Sequence, residues 1–335
     1  MPDRQLPASQ ALETRLTGTR IHSMTVDLNT RTWTSANQLG EEAASRLRLS
    51  QADHWLRTDH GADALMTDMQ CVDVAVVHGF RSAMLGAHIP SEHIAELIAR
   101  QPDSIVGIAG IDPLAPGSQN EIHRIIEMGL SGITISPSMQ GLHPTHSAAM
   151  RIYESCEERG LPVLVSRPEI PLASSVLEFD RPGNWDEVAR SFPKLKIVIG
   201  GLGFPWIDET LALLQKHENL FADLSIVVAR PWQVRTALLN AQALGVLDQI
   251  LFASGWPATT PAHAIETLYS LNTFSQGNAQ PSVPRSEIRT IIERDSLAAL
   301  GIDRNPGNAM TNETDPSKFK SIRTDEEADQ ALPVD

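Results

Sequence analysis

The chain has 335 residues, 41% of them hydrophobic, and a formal net charge of −14, with 41 acidic residues against 27 basic ones. That content supports one large core, and no cluster of five or more Lys and Arg appears, so neither nucleic acid nor an anionic membrane is an expected partner. No run of 18 apolar residues suggests a membrane span, and MPDRQLPASQALETRLTGTR lacks the apolar stretch of a secretory leader, so a cytoplasmic protein is expected.

In chain order, residues 1–20 are polar and aperiodic and read as a flexible N-terminal arm. The first apolar run is MTVDLN at 24–29. A helical stretch over 36–69 follows, including ANQLGEEAASRLRLSQADHWL, and is placed as an insertion over the mouth of the fold. The next runs are VDVAVVH at 72–78, SIVGIAGI at 104–111, GITIS at 132–136 and PVLVS at 162–166. KIVIGG at 196–201, NLFADLS at 219–225 and QILFASG at 249–255 complete the set. Continuous Val, Ile and Leu suit strands buried on both faces.

Each run leads into a helical pattern. SEHIAELIAR opens on Ser91 as an N-cap, SQNEIHRIIEMG carries Ser118 and Glu121 at capping-box spacing, and NWDEVARSF starts at Asn184. Eight strands alternating with helices predict an α/β fold, a (β/α)₈ TIM barrel over residues 21–302 with a helical insertion after strand 1. Residues 303–335, rich in charge, Pro and Asn, read as a disordered acidic tail. Cys71 and Cys156 read as two buried free thiols.

The pieces IVGIAGIDP, GLSGITISPSMQGLHPTH, RIYESCEERGLPVLV, FPKLKIVIGGLGFPW, NLFADLS, ILFASGWP and ERDSLAALGI stand in one order at barrel spacing. With them, the segment from about 24 to 302 resembles the amidohydrolase-related family, which includes aminocarboxymuconate-semialdehyde decarboxylase and various metal-dependent hydrolases. The resemblance implies a metal centre on the C-terminal rim of the barrel. Its ligands would be D-x-H-x-H on the first strand, a His ending the fifth, another ending the sixth, and an Asp in F-G-S-D-x-P on the eighth. Here VDLNTRTW places Asn29 and Arg31 at the first two positions. Ser166, Gly201 and Gly255 stand at the other three. Asn and Ser are weak neutral donors, Gly offers no side chain, and Arg is a fixed cation that repels a metal. No metal and no cofactor is therefore expected.

Asn29 and Arg31 are two apart on a strand and share a face. Arg31 either forms an internal salt bridge with Asp223 or Asp27, plugging the old site, or opens an anion-binding pocket. His78, Arg167, Trp33, Trp206 and Trp256 stand at strand ends and can face the same mouth. His143 and His146 share a loop, where ordinary loop histidines are the simpler reading than a relocated metal site. The expected substrate-binding set is Asn29, Arg31, Trp33, His78, Ser166, Arg167, Asp223 and Trp256. The functional expectation is a non-catalytic or small-molecule-binding homologue that has lost its metal. The alternative is a metal-independent hydrolase or decarboxylase acting on a small carboxylate or lactone, with Arg31 as electrostatic stabiliser. A small anionic organic ligand is the expected partner, and the resemblance implies a homodimer.

Overall fold

A computed structural model of the chain describes residues 24–49, 61–168, 171–275 and 281–303. The expected N-terminal arm, the tail beyond Asp303 and residues 50–60 of the insertion lie outside the described residues. Eight strands form the central sheet in the order β1 (Val26–Thr30), β2 (Val74–His78), β5 (Ile105–Gly110), β6 (Ile133–Ile135), β7 (Val163–Val165), β8 (Ile197–Ile199), β9 (Leu220–Asp223) and β10 (Ile250–Leu251). Every paired neighbour in it is parallel. Beyond β10 the chain meets β1: Leu28 N–H donates to Phe252 O (3.1 Å), Gly255 N–H to Asn29 O (3.1 Å) and Arg31 N–H to Trp256 O (3.0 Å). These bonds close the sheet into the expected (β/α)₈ barrel.

Two apolar layers follow from strand alternation. Val74 and Val76 of β2 face the barrel interior with Val26, Leu28, Val106, Ile108, Leu164, Val198, Phe221 and Leu251. Ala75 and Val77 face outward into the larger layer beneath the helices. Continuous Val and Ile runs read as strands because both layers need apolar side chains. Met24, Leu297, Leu300 and Ile302 join the interior cluster at its N-terminal end, so the last helix, Ser296–Leu300, caps the bottom of the barrel.

The insertion after β1 divides in two. A 3₁₀ turn at Ala36–Leu39 and the helix Glu41–Leu49 open it, and Leu39 and Ala43 pack at the mouth. The helix Ala62–Asp68 sends Leu65 into the outer layer instead. A hairpin that the sequence pattern did not reveal, β3 (Phe80–Ser82) with antiparallel β4 (Ala87–Ile89), follows β2. It packs with Trp33, Leu39, Met139 and Leu172 over the mouth. Unlike the equally short β6, β7 and β8, FRS and AHI do not form the continuous apolar run by which the barrel strands are read.

Several local expectations are corrected. Ser91 is the first helical residue and Pro90 the cap. Ser118 likewise opens its helix behind Gly117, and its hydroxyl donates to Pro113 O (3.1 Å) rather than closing a capping box. Asn184 lies in a 3₁₀ turn, Pro182–Trp185, ahead of the helix Asp186–Ser191. Cys71 is exposed at the end of the turn Met69–Cys71, although Met69 and Val72 on either side pack into the outer layer; Cys156 is buried, and burial pushes its thiol up to about 12. Among the described residues no helix is long and apolar enough to cross a membrane.

Leu300 is 1% exposed at the barrel bottom. Leu300→Ala is expected to destabilise the fold by about 2–5 kcal/mol through lost burial and a residual cavity. Urea denaturation should show this as a lower midpoint with an unchanged slope.

Candidate functional site

The register of β1 against β2 shifts between Asp27 and Thr30. Leu28 therefore stays in the apolar interior while Asn29 also turns toward the mouth, where it lines a cavity with Arg31. β7 is the fifth strand in the ring of eight, opposite β1. Arg31 spans that gap, its Nη2 donating to the hydroxyl of Ser166 just beyond β7. The cavity encloses about 130 Å³. Its walls combine three guanidinium side chains, Arg31, Arg46 and Arg167, with Trp33, Phe80, Trp256, Met139 and Leu172. No Asp or Glu occurs among the described lining residues.

Beneath the cavity lies a hydrogen-bonded hub. Asp223, ending β9, accepts from Asn29 Nδ2 (3.2 Å), Gly201 N–H (2.8 Å), Ser225 N–H (2.9 Å) and Ser225 Oγ (2.6 Å). Asp27 turns to the seam between β1 and β10, where it accepts from Ser254 N–H (2.8 Å) and Ser254 Oγ (2.5 Å). Burial pushes Asp27 up to about 7, while the Ser254 donors draw it back. Both carboxylates are thus committed elsewhere, and the ion pair expected between Arg31 and Asp223 or Asp27 does not form. Hydrogen-bond donors on neighbouring strand ends reach the two acids first.

Three of the expected binding residues stand apart from the lining. His78 is fully buried; its Nε2–H donates to Leu28 O (2.8 Å). Burial and the nearby Arg31 charge push its imidazole down to about 3, which leaves it neutral. Ser166 and Asp223 are buried supports, one for Arg31 and the other for Asn29. Asn29, Arg31, Trp33, Arg167 and Trp256 do line the cavity, and Trp256 Nε1 is held by Asp68 Oδ2 (2.8 Å). Trp206 instead stacks behind the wall, 5.6 Å from the Arg167 guanidinium. His143 bonds Thr145 Oγ1 (2.9 Å), and His146 caps the helix Ser147–Glu158 by accepting from Ala148 N–H (3.2 Å).

Sequence reasoning missed Arg46, Phe80, Ser225 and Ile226. Ser225 carried a readable signal, an Asp two residues earlier in ADLS. Arg46 and Phe80 sit on the insertion and the hairpin, where nothing in a single sequence fixes direction.

At two of the positions where the resembled family keeps metal ligands, the local structure leaves little room for a ligating side chain. Gly201 has φ 56°, and a Cβ there would lie 2.7 Å from Ile226 Cβ. Gly255 has φ 76°, and a Cβ there would lie 2.8 Å from Ser225 O. The turn after β9 thus fills the space above both glycines. Among the described residues no three His, Cys, Asp or Glu side chains gather into a metal-holding group. Asp223 already accepts four hydrogen bonds, and Arg31 adds a fixed positive charge. These residues do not fit a divalent ion, which needs several free anionic or imidazole donors.

A family model described as amidohydrolase matches residues 26–282. No curated protein matches the chain by sequence. An uncharacterised TIM-barrel protein from Bordetella bronchiseptica superposes with a TM-score of 0.64 at 16% identity, covering 83% of this chain and 99% of the other. A dihydroxybenzoic acid decarboxylase from Polaromonas sp. JS666, with bound manganese and the inhibitor 2-nitroresorcinol, gives 0.61 at 14% identity, covering 83% and 97%. A probable 2-pyrone-4,6-dicarboxylic acid hydrolase from Acinetobacter baumannii, with citric acid bound, gives 0.55 at 15% identity, covering 83% and 99%. At these identities the likeness establishes the fold.

Asp27 makes stability depend on pH. Its folded value of about 7 lies above the ordinary 3.8, so its contribution is full below 3.8 and is lost as pH rises through about 7. Asp27→Asn keeps an acceptor and removes the charge. Its stability relative to the parent is expected to rise between about pH 5 and about pH 8, as urea unfolding at both pH values would register. A difference that stays flat or falls would contradict the assignment.

Proposed function

The chain belongs to the amidohydrolase family, and from that premise we propose that it is a metal-free member whose barrel mouth binds a small organic anion. The observation that carries this reading is the cavity wall: Arg31, Arg46 and Arg167 around about 130 Å³, with apolar side chains between them. A guanidinium stays charged at every physiological pH, and its field is strong beside low-dielectric walls. The chain as a whole carries −14. An anion would be drawn only where positive charge is concentrated, and the mouth is such a place. Trp33, Phe80 and Trp256 offer flat apolar surface to the organic part of the ligand.

Binding is favoured over bond-breaking by what lines the cavity. Apart from the arginines, the polar side chains among the described lining residues belong to Asn29 and Ser225. None of them exchanges a proton near neutral pH, as general acid–base catalysis requires. A second reading keeps catalysis: a metal-independent decarboxylase or hydrolase acting on a small carboxylate or lactone. It draws on the position of Arg31 across the mouth, where a cation would stabilise developing negative charge. It also draws on the structural neighbours, two of which are named for acting on carboxylic acids. The neighbour with manganese marks the contrast, because the donor set here does not suit that ion.

Calorimetric titration with benzoate and with its neutral isostere benzamide tests the reading. Benzoate is expected to bind and benzamide not. Arg31→Gln should weaken benzoate about 10- to 100-fold, the range for one hydrogen bond to a charged group. Equal binding of both probes, or an unchanged affinity in the variant, would rule the anion site out. Elemental analysis should find far less than one metal ion per chain, and chelation should leave benzoate binding unchanged. A metal whose removal abolishes binding would overturn the metal-free reading. Turnover of a carboxylate or lactone by chelated protein, lost in Arg31→Gln, would promote the second reading.

A further inference from the structure

Arg167 and Asp180 form a buried pair that is incomplete. Arg167 follows Ser166 at the end of β7, and Asp180 ends the 3₁₀ turn Leu177–Asp180. Their side chains are 4% and 3% exposed, yet the closest approach, Nη2 to Oδ2, is 3.8 Å, beyond hydrogen-bond reach. Arg167 Nε and Nη1 and Asp180 Oδ1 have no hydrogen-bond partner. Buried charges normally satisfy such groups, so each exception asks for an explanation. Around the pair, the buried Ser138 hydroxyl stands beside Asp180 and favours its charged form against burial, but nothing completes the Arg167 donors. Trp206 presents a ring face to Arg167, and the neighbouring cation Arg181 is committed to Glu209 and Glu178. The two partners also differ in access: Arg167 lines the cavity, whereas Asp180 stands behind the wall.

We propose that Arg167 is a second anchor for the ligand's anionic group and that Asp180 is its built-in competitor. The inference rests on the anion-binding reading and deepens it. Asp180 holds the guanidinium loosely in reserve, and an anion entering the cavity takes Arg167 over by offering oxygens at true hydrogen-bond distance. Such an exchange selects the ligand class. A carboxylate or sulfonate brings full charge and can displace a carboxylate, whereas a neutral lactone or amide cannot. Asp180 would thus set both specificity and an upper limit on affinity. While it occupies Arg167, only a fraction of molecules is competent to bind, and the apparent dissociation constant rises by the inverse of that fraction.

This makes an expectation that a merely structural ion pair would not: removing the acid should tighten binding. Asp180→Asn keeps size and polarity. If Arg167 is competent about a tenth of the time, the variant should bind benzoate and benzenesulfonate about tenfold more tightly, with benzamide unaffected. Adding Arg167→Met to Asp180→Asn should abolish the gain. Binding of both anions that is unchanged or weakened in Asp180→Asn overturns this inference alone. No anion binding by either the parent or the variant overturns the anion site as well. Should Asp180→Asn fail to fold, a crystal structure of the parent with benzoate decides. Benzoate oxygens on Arg167, with Asp180 displaced beyond about 4 Å, support the proposal; an undisturbed pair, with benzoate held by other groups, overturns it.

Discussion

The mouth of this barrel is organised by one carboxylate. Asp223 gathers donors from three places: the Asn29 amide on β1, the Gly201 N–H beyond β8, and both donors of Ser225 in its own turn. A buried acceptor left short of partners is costly, so each of these bonds is strongly enforced. Fixing Asn29 fixes the exit of β1, and with it the direction in which Arg31 leaves the strand. Fixing Ser225 positions Ile226 over Gly201. The cavity above is therefore a consequence of the hub below it, because lining residues such as Asn29 and Ser225 take their directions from the buried Asp223 carboxylate.

The barrel was legible because its signal is repeated and redundant. A strand such as Val74–His78 needs apolar side chains on both faces, one set for the interior and one for the helix layer, and a run like VAVVH meets no other demand as well. The hairpin at Phe80–Ser82 and Ala87–Ile89 was not legible, since FRS and AHI lack a continuous apolar run and its partner surface comes from distant loops. At the site, residue type could be read but pairing could not. Arg31 was identifiable as a mouth residue. Its bond to Ser166 depends on where the barrel closes, and the capture of Asp223 by Asn29 depends on a register shift within β1. Asp180 gave no signal at all, because a lone acid in a turn looks like a solvated one until the fold buries it.

The polar residues form two tiers. Ser166, Asp223, Asp27 and His78 lie in a lower tier, buried and largely satisfied within the protein. The arginines lie in an upper tier facing the cavity, against apolar and aromatic walls. A lower tier held mainly by internal hydrogen bonds is stiff, and its one group that titrates near neutral pH, Asp27, faces the β1–β10 seam rather than the cavity. An upper tier of permanent cations is responsive but cannot exchange protons. This division places fixed positive charge at the cavity wall and the titratable carboxyls beneath it.

The packing of Ile226 against Gly201 limits what substitution at the rim can build. A histidine introduced at position 201 would need a backbone geometry unfavourable to it and space that Ile226 fills, and an aspartate at 255 would meet the Ser225 carbonyl. Neither change is acceptable first, and each becomes so only after the turn beyond β9 has been rebuilt. Installing an imidazole-and-carboxylate centre in this barrel therefore requires several changes together, whereas the arginine-lined mouth can be varied one residue at a time.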